Sequence, residues 1–147
     1  MTDPVLSSLL RINQQRMRLL RSQALTPNGY VGTMHLIVLY TGRRPGARQE
    51  DVVCFYNLDK ASVARDARRL EQLGHLRREL DPDNRRQYRL FLTAEGEAML
   101  AVLERTHQEF QRRLSAGISQ EDWRTLTALL ARLEENSCQD PAPSSHP

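Results

Sequence analysis

The chain has 147 residues and a formal net charge of +3, and 39% of its residues are hydrophobic. This length suits one domain with a modest core, so long helices would share a core with each other or with a second chain. Cys54 and Cys138 form no disulfide framework and lack partners at metal-ligand spacing, which fits a reducing cytoplasm. The N-terminus lacks the features of a signal peptide, and no apolar run is long enough to span a membrane.

The first part of the chain predicts two helices. Apolar residues recur at helical spacing over residues 5–24, with arginine and glutamine outside the stripe. Thr26 followed by Pro27 is typical of an N-cap and a first helical turn, which predicts a second helix from there to about Tyr40. That helix is apolar on most sides, so we expect it to be buried. A segment rich in glycine and proline, 42–46, ends it.

The middle of the chain predicts two helices and a hairpin. Residues 49–56 form a short helix, and Asp59 caps a helix over 60–73 that ends at Gly74. Over residues 75–92 the apolar residues alternate on either side of a turn, which predicts a β-hairpin.

The last part predicts two more helices and a tail. Thr93 caps a long helix that runs to about Ala116, and Ser119 opens the last helix, which carries a leucine stripe. Residues 137–147 are rich in proline and serine, which is typical of a disordered tail. The expected fold class is mainly α with a small antiparallel β-hairpin.

The order of short helix, turn, capped helix and hairpin is that of a winged helix-turn-helix, which places one helix in the major groove of DNA. Side chains of helix 60–73 advance by roughly 100° per residue, so Val63, Ala67 and Leu70 share one face. The opposite face is small at its start and basic further along. The candidate DNA-binding residues of the helix and the hairpin are Lys60, Ala61, Ser62, Arg65, Arg68, Arg69, Arg85 and Arg86.

Positive charge is concentrated in this part of the chain. Residues 60–89 contain nine lysines or arginines and five acids, which is the pattern expected for contact with a phosphate backbone. Arg65 could reach a guanine edge or a phosphate, and Arg68 and Arg69 are better placed for phosphate. A solvated face of i,i+4 charge pairs is the alternative, but these arginines mostly lack acidic partners at helical spacing.

Residues 57–96 resemble the signature of the MarR family of winged helix-turn-helix transcriptional regulators. The segments are NLDKASVARDARRLEQLG and HLRRELDPDNRRQYRLFLTAEG, of which the hairpin followed by LTAEG is the most specific. The resemblance implies one MarR-like domain over 1–136. Residues 5–24 and 97–136 would be its dimerisation helices, and 43–95 its DNA-binding winged-helix lobe.

The wing departs from the family pattern at one position. The family's wing usually carries Asp-x-Arg, whose acid orients an arginine near the minor groove. Counted back from Leu92, this motif falls on Asn84-Arg85-Arg86, so an amide replaces the acid. Asp83, one residue earlier, is a candidate substitute.

The resemblance also implies a small anionic or phenolic effector between the dimerisation helices and the lobe. Its candidate residues, chosen by position, are Arg16, Tyr30, His35 and Tyr40. Packing is the alternative role of each. Cys54 is a weak candidate for a redox sensor, because sensor cysteines of the family lie near the first helix. We expect Cys54 to be a buried, inert thiol.

These patterns predict a sequence-specific transcriptional regulator, a repressor that binds a pseudo-palindromic operator in double-stranded DNA as a homodimer. The resemblance to the MarR family implies that an effector releases it. The alternative is a winged-helix protein-interaction module without specific DNA binding, which would explain the hydrophobic stripes but not the clustered arginines. We expect no enzyme, metal or cofactor, because the sequence shows no nucleophile with a base, no phosphate loop and no metal cluster.

Overall fold

The computed structural model describes residues 3–138, and the chain divides into two compact units, residues 1–110 and 111–147. The division falls inside a helix. In chain order, the helices and strands of the described residues are α1 (Pro4–Leu20), α2 (Met34–Arg43), β1 (Ala47–Arg48), α3 (Gln49–Tyr56), α4 (Lys60–Gln72), β2 (Leu76–Leu80), β3 (Tyr88–Leu92), α5 (Ala94–Leu114) and α6 (Gln120–Ser137). This is the mainly α fold with a small antiparallel sheet that the sequence predicts.

The connection between α1 and α2 differs from the prediction. After α1, the chain continues through a π-helical turn, Arg21–Leu25, and a 3-10 turn, Thr26–Asn28. Proline in the first turn does start helical backbone, but only this one turn. Gly29 and Gly32 then adopt positive φ angles of 69° and 53°, which interrupt a right-handed helix. The second α-helix therefore begins at Met34, and a start at Thr26 was wrong.

The buried face of α4 is the predicted one. Val63, Ala67 and Leu70 have no exposed surface, and they join the core formed with α2 and α3. Asp59 caps the helix, because its carboxylate accepts hydrogen bonds from the backbone N–H and the hydroxyl of Ser62. The cap and the apolar face together fix where α4 begins and which side it exposes.

The predicted hairpin is present and belongs to a larger sheet. Strands β2 and β3 pair antiparallel, with Leu76 opposite Leu92 and Leu80 opposite Tyr88. The two-residue strand β1 pairs with the other edge of β3, which gives the order β1-β3-β2. The sequence does not predict β1, because two residues are too few to show an alternating pattern.

The caps of the last two helices are the predicted ones. The Thr93 hydroxyl accepts a hydrogen bond from the backbone N–H of Gly96 at the start of α5, and the Ser119 hydroxyl accepts one from Asp122 at the start of α6. Residues 139–147 of the predicted disordered tail lie outside the described residues. Within residues 3–138, no helix is both long and apolar enough to cross a membrane.

Cys54 is exposed, so the expectation of a buried thiol was wrong. Val52, two positions earlier on α3, is completely buried. Because successive side chains of a helix advance by roughly 100°, Cys54 points to the side opposite Val52. Cys54 lies within a run of apolar residues, so its exposure could not be predicted from its neighbours in the sequence.

Candidate nucleic-acid interface

The predicted DNA-binding residues lie at the surface, all of them exposed except Ser62, which is half-buried. Six of them share α4. The Ser62 hydroxyl donates to Asp59 and accepts a 3.3 Å hydrogen bond from Nη2 of Arg65, so it links this arginine to the N-terminal turn of the helix. The backbone N–H of Ser62, and then its hydroxyl, lower the pKa of the Asp59 carboxyl, which keeps the cap ionised at neutral pH.

Arg85 and Arg86 lie on the loop between β2 and β3. Within the described part of the chain, neither side chain forms a hydrogen bond or an ion pair, and the same holds for Lys60 and Arg68 on α4. The Asn84 side chain accepts a 3.1 Å hydrogen bond from the backbone N–H of Arg86, so it shapes the turn. These four cations keep their charge available for another molecule.

The other basic residues of the hairpin are held by the protein itself. Arg77 pairs with Glu79 and lies over the ring of Phe91. Arg78 on β2 forms a 2.7 Å ion pair with Glu71 on α4, which joins the hairpin to the helix. The positive charge of the segment therefore divides into a structural set and an unpaired set.

Two of the predicted effector residues, Arg16 and His35, lie near Arg43 and His107. We call these four basic residues the cationic cluster. Burial first, and then the charges of Arg16 on α1 and His107 on α5, lower the pKa of His35 to about 4. Burial, Arg16 and Arg43 likewise lower the pKa of His107. His107 Nε2 is buried and has no hydrogen-bond partner among residues 3–138. The sequence offers no spacing that would have revealed Arg43 or His107 as members of this cluster.

Tyr40, in the C-terminal half of α2, belongs to an aromatic group. Its ring centroid is 5.2 Å from that of Phe55 and 6.3 Å from that of Tyr56, and its hydroxyl accepts a 3.0 Å hydrogen bond from Arg44. Burial raises the pKa of Tyr56, and the charges of Arg43 and Arg16 oppose this rise. Tyr56 thus connects the aromatic group to the cationic cluster electrostatically.

Tyr30 has a different partner from the other effector candidates. Its buried hydroxyl lies 2.7 Å from Nδ1 of His75, at the start of the hairpin, and burial raises the pKa of the phenol. A surface cleft of about 520 Å³ occurs elsewhere on the first unit, and no effector candidate lines it; its lining is Gln14, Arg18, Arg21, Ser22, Thr26 and Pro27. No group of three or more acidic, histidine or cysteine side chains within 3–138 is arranged to hold a metal ion.

The model of the MarR family matches residues 35–88, which run from α2 into β3. Over this stretch the chain is similar to the MarR family. It is 29% identical over 121 residues to a putative transcriptional regulatory protein for the hcr operon of Thauera aromatica, covering 82% of this chain and 70% of that protein. The crystal structure of MarR itself is 26% identical, has a TM-score of 0.74 and is matched over 92% of this chain and 98% of that one.

A third comparison shows how a protein of this fold has been seen with a ligand. A putative MarR family regulator from Listeria monocytogenes, solved in complex with a 26mer DNA, has a TM-score of 0.82 to this chain over 92% of its residues and 89% of that protein. Its identity is 17%, so the likeness concerns the fold. Together with the family match, it identifies the fold as the MarR winged helix-turn-helix.

The acid that organises the wing of this chain is Asp81. This carboxylate is completely buried and accepts hydrogen bonds from Arg48 Nε at 2.8 Å, from the backbone N–H of Asp83 at 3.0 Å and from Arg89 at 3.4 Å. Asp83, the candidate substitute for the family's wing acid, lies 3.9 Å from Arg89 instead of pairing with Arg86. The sequence shows Asp81 only as part of a polar turn, because burial of a turn residue leaves no local signal.

Proposed function

We propose that this chain is a MarR family member that binds a pseudo-palindromic operator in double-stranded DNA as a homodimer and represses nearby genes. The observation that carries the proposal is the two-sided character of α4. One face is completely buried at Val63, Ala67 and Leu70. The opposite face exposes Arg65 and Arg68, and Arg68 has no partner within the described part of the chain. Such a helix is held rigidly by its core face while its cations remain available for phosphate.

The start of α4 suits the reading of bases. Ala61 is small and exposed, and Ser62 is half-buried, so the N-terminal turn can approach base edges closely. The positive end of the helix dipole favours a phosphate there as well. Arg65, one turn further along, has the length and the planar donor geometry to contact a guanine. Arg85 and Arg86 on the wing add contacts to the backbone, which strengthen binding without reading the sequence.

A second copy of the chain accounts for the apolar surface of the terminal helices. On α1, Leu6 is 64% exposed and Leu10 is 60% exposed, and on α6 Leu129 is 51% exposed. Side chains of this size on one helix face need a cover in water. A homodimer covers them, and its two-fold axis would place two copies of α4 about one turn of DNA apart.

The cationic cluster supports the proposal of an effector. An anionic group placed beside Arg16, His35 and His107 would find the positive charge of Arg16 and the unpartnered Nε2 of His107 in a partly desolvated place. A phenol could stack in the aromatic group formed by Tyr40 and Tyr56. Tyr30 is a weaker candidate, because its hydroxyl is already bonded to His75.

The test of DNA binding is a salt titration of the purified protein on the promoter of its own gene and on a scrambled duplex of equal length. Tighter binding to the promoter, with a steep loss of affinity as salt rises, is the expected result. Equal affinity for both duplexes would contradict sequence-specific regulation. Absence of binding even at low salt would favour the winged-helix protein-interaction module instead.

The test of the effector site uses 4-hydroxybenzoate, which is both anionic and phenolic, as a probe in calorimetry. Arg16→Gln removes the charge beside His35 and is expected to abolish binding of the probe. Arg18→Gln is the matched control, because Arg18 lies on the same helix and lines the surface cleft that no effector candidate lines. If Arg18→Gln abolished binding and Arg16→Gln did not, the effector would belong in that cleft.

A further inference from the structure

The buried face of α4 contains one acid among its apolar residues. Asp66 lies between Arg65 and Ala67 and is only 1% exposed. A carboxylate removed from water is unfavourable unless hydrogen bonds and opposite charges replace its hydration. The partners of Asp66 therefore show what this acid does in the helix.

The two oxygens of Asp66 face in different directions. Oδ2 accepts two hydrogen bonds of 2.8 Å from Thr33, one from the backbone N–H and one from the hydroxyl. Oδ1 accepts a 3.0 Å hydrogen bond from Nη1 of Arg69 and lies 3.9 Å from Nε of Arg65. One carboxylate thus joins the residues that precede α2 to two arginines of the exposed face of α4.

The chain just before α2 is built for this approach. Gly32 has a φ of +53°, and a Cβ atom at this position would lie 2.5 Å from Oδ2 of Asp66. A residue with a side chain would therefore be strained and would also collide with the carboxylate. Glycine at position 32 is the condition for Thr33 and Asp66 to meet.

The same stretch also holds the base of the hairpin. Tyr30 bonds to His75 through the 2.7 Å contact between its hydroxyl and Nδ1, and His75 directly precedes β2, the first strand of the hairpin whose loop carries Arg85 and Arg86. We call residues 29–33 the anchor segment. It supports α4 through Asp66 and the hairpin through Tyr30, so both elements share one support.

We propose that Asp66 is a positioning residue, which fixes the rotation of α4 and the direction of Arg65 and Arg69 by locking the helix to the anchor segment. Buried ion pairs often add little net stability compared with apolar packing, and in some proteins they define the geometry instead. Here the geometry is that of two arginines on the recognition helix. The expected effect on DNA binding rests on the proposed function. The locking of α4 by Asp66 does not depend on it.

The test compares Asp66→Asn with Glu71→Gln in the full-length protein. Both variants change a carboxylate of α4 into an amide, but Glu71 is exposed and pairs at the surface with Arg78. Amide hydrogen exchange measured by mass spectrometry reports on the locking of α4. The direction of Arg65 and Arg69 is tested by the ratio of affinities for promoter and scrambled DNA. This ratio is measured well below the thermal midpoint of each variant.

Asp66→Asn is expected to speed exchange in residues 60–72 roughly tenfold and to lower the affinity ratio by a similar factor, because an amide loses the charge-assisted bond to Arg69. Thr33→Val, which removes only the hydroxyl donor, is expected to act in the same direction and more weakly. The double variant should be no worse than Asp66→Asn alone, because the two residues act through one contact. Glu71→Gln should stay within about twofold of the wild type in both measurements.

Equal effects of Asp66→Asn and Glu71→Gln would overturn the proposal. A uniform rise of exchange in all helices of Asp66→Asn would also overturn it, since this would show a general loss of stability. If the wild type does not discriminate between the duplexes, the proposed function fails, while exchange in residues 60–72 still decides whether Asp66 locks α4.

Discussion

Arg48 on β1 donates a 2.8 Å hydrogen bond from Nε to the completely buried carboxylate of Asp81, in the loop of the hairpin. The same carboxylate receives the backbone N–H of Asp83 and the guanidinium of Arg89. A wing that projects from a protein has little core of its own, so its order depends on such local bonds. Asp81 therefore connects the loop that carries Arg85 and Arg86 to β1 through Arg48 and to β3 through Arg89.

Asp81→Asn is expected to loosen the wing while the helices stay folded. An amide cannot accept from three donors and leaves the arginines without a counter-charge, so we expect amide exchange in residues 80–88 to rise roughly tenfold. Hydrogen exchange followed by mass spectrometry measures this directly.

The bond from the N–H of Asp83, with the help of Arg48, holds the pKa of Asp81 below its ordinary value.

The sign of the pH dependence follows from that lowered pKa. The ionised carboxylate stabilises the wing at every pH above the ordinary value of 3.8, and this stabilisation is lost as the pH falls through the lowered pKa. Asp83→Asn is the control, because Asp83 is exposed and reaches Arg89 only at 3.9 Å. Similar exchange in both variants would show that Asp81 has no special place in the wing.

Arg65→Ala and Arg85→Ala are expected to change different properties of DNA binding. Loss of a contact to a base edge lowers discrimination by about 1–3 kcal/mol, so Arg65→Ala should bring the affinities for promoter and scrambled DNA together. Loss of one phosphate contact weakens all sequences alike, so Arg85→Ala should flatten the salt dependence by a slope of about 1. Unchanged discrimination in Arg65→Ala would mean that another face of α4 reads the DNA.

The sequence was sufficient for most of the fold because its signals there are local. A cap such as Asp59 and the apolar spacing of Val63, Ala67 and Leu70 act within one helix, and both were confirmed. The two-residue strand β1 forms only because β3 offers a free edge, and no pattern of two residues can show this. The sequence thus predicted caps and helix faces, but it did not predict the pairing of β1 with β3.

The site was less predictable because its organising residues act over long separations in the chain. Asp66 meets Thr33 across 33 residues, and Asp81 meets Arg48 across the same distance. In the sequence, both acids are indistinguishable from solvent-exposed ones. Only burial identifies them, and burial depends on how distant segments pack. The exposed arginines, by contrast, needed only the helical period to be placed on the outer face.

The terminal helices are expected to hold two copies of the chain together. Changing Leu129 and Leu133 on α6 to glutamate places two charges on the apolar stripe and should weaken dimerisation by roughly a hundredfold, the effect of losing central apolar contacts. Sedimentation velocity at several protein concentrations measures this. Arg124→Glu, on the opposite side of α6, introduces the same residue outside the stripe and should leave the dimer intact. A wild type that sediments as a monomer would contradict the prediction.

His35 is expected to make the stability of the protein depend on pH between about 6.5 and 4. The ordinary pKa of a histidine is 6.5, and burial together with Arg16 and His107 lowers that of His35 to about 4 in the folded chain. Between these values the unfolded chain binds a proton that the folded chain excludes, so the free energy of unfolding decreases as the pH falls. Above 6.5 the ring is neutral in both states and this dependence vanishes.

One pKa unit corresponds to 1.36 kcal/mol, so His35 accounts for a loss of about 3 kcal/mol across the whole interval. Urea denaturation at pH 7.5, 6 and 5 and at fixed protein concentration measures the loss. His35→Gln, which cannot take up the proton, should flatten the dependence, and His107 should supply a remainder of the same sign, because its pKa is lowered too. If the wild type and His35→Gln lost stability in parallel, the imidazole of His35 would be free to take up a proton in the folded protein, and its burial beside Arg16 would not prevent this.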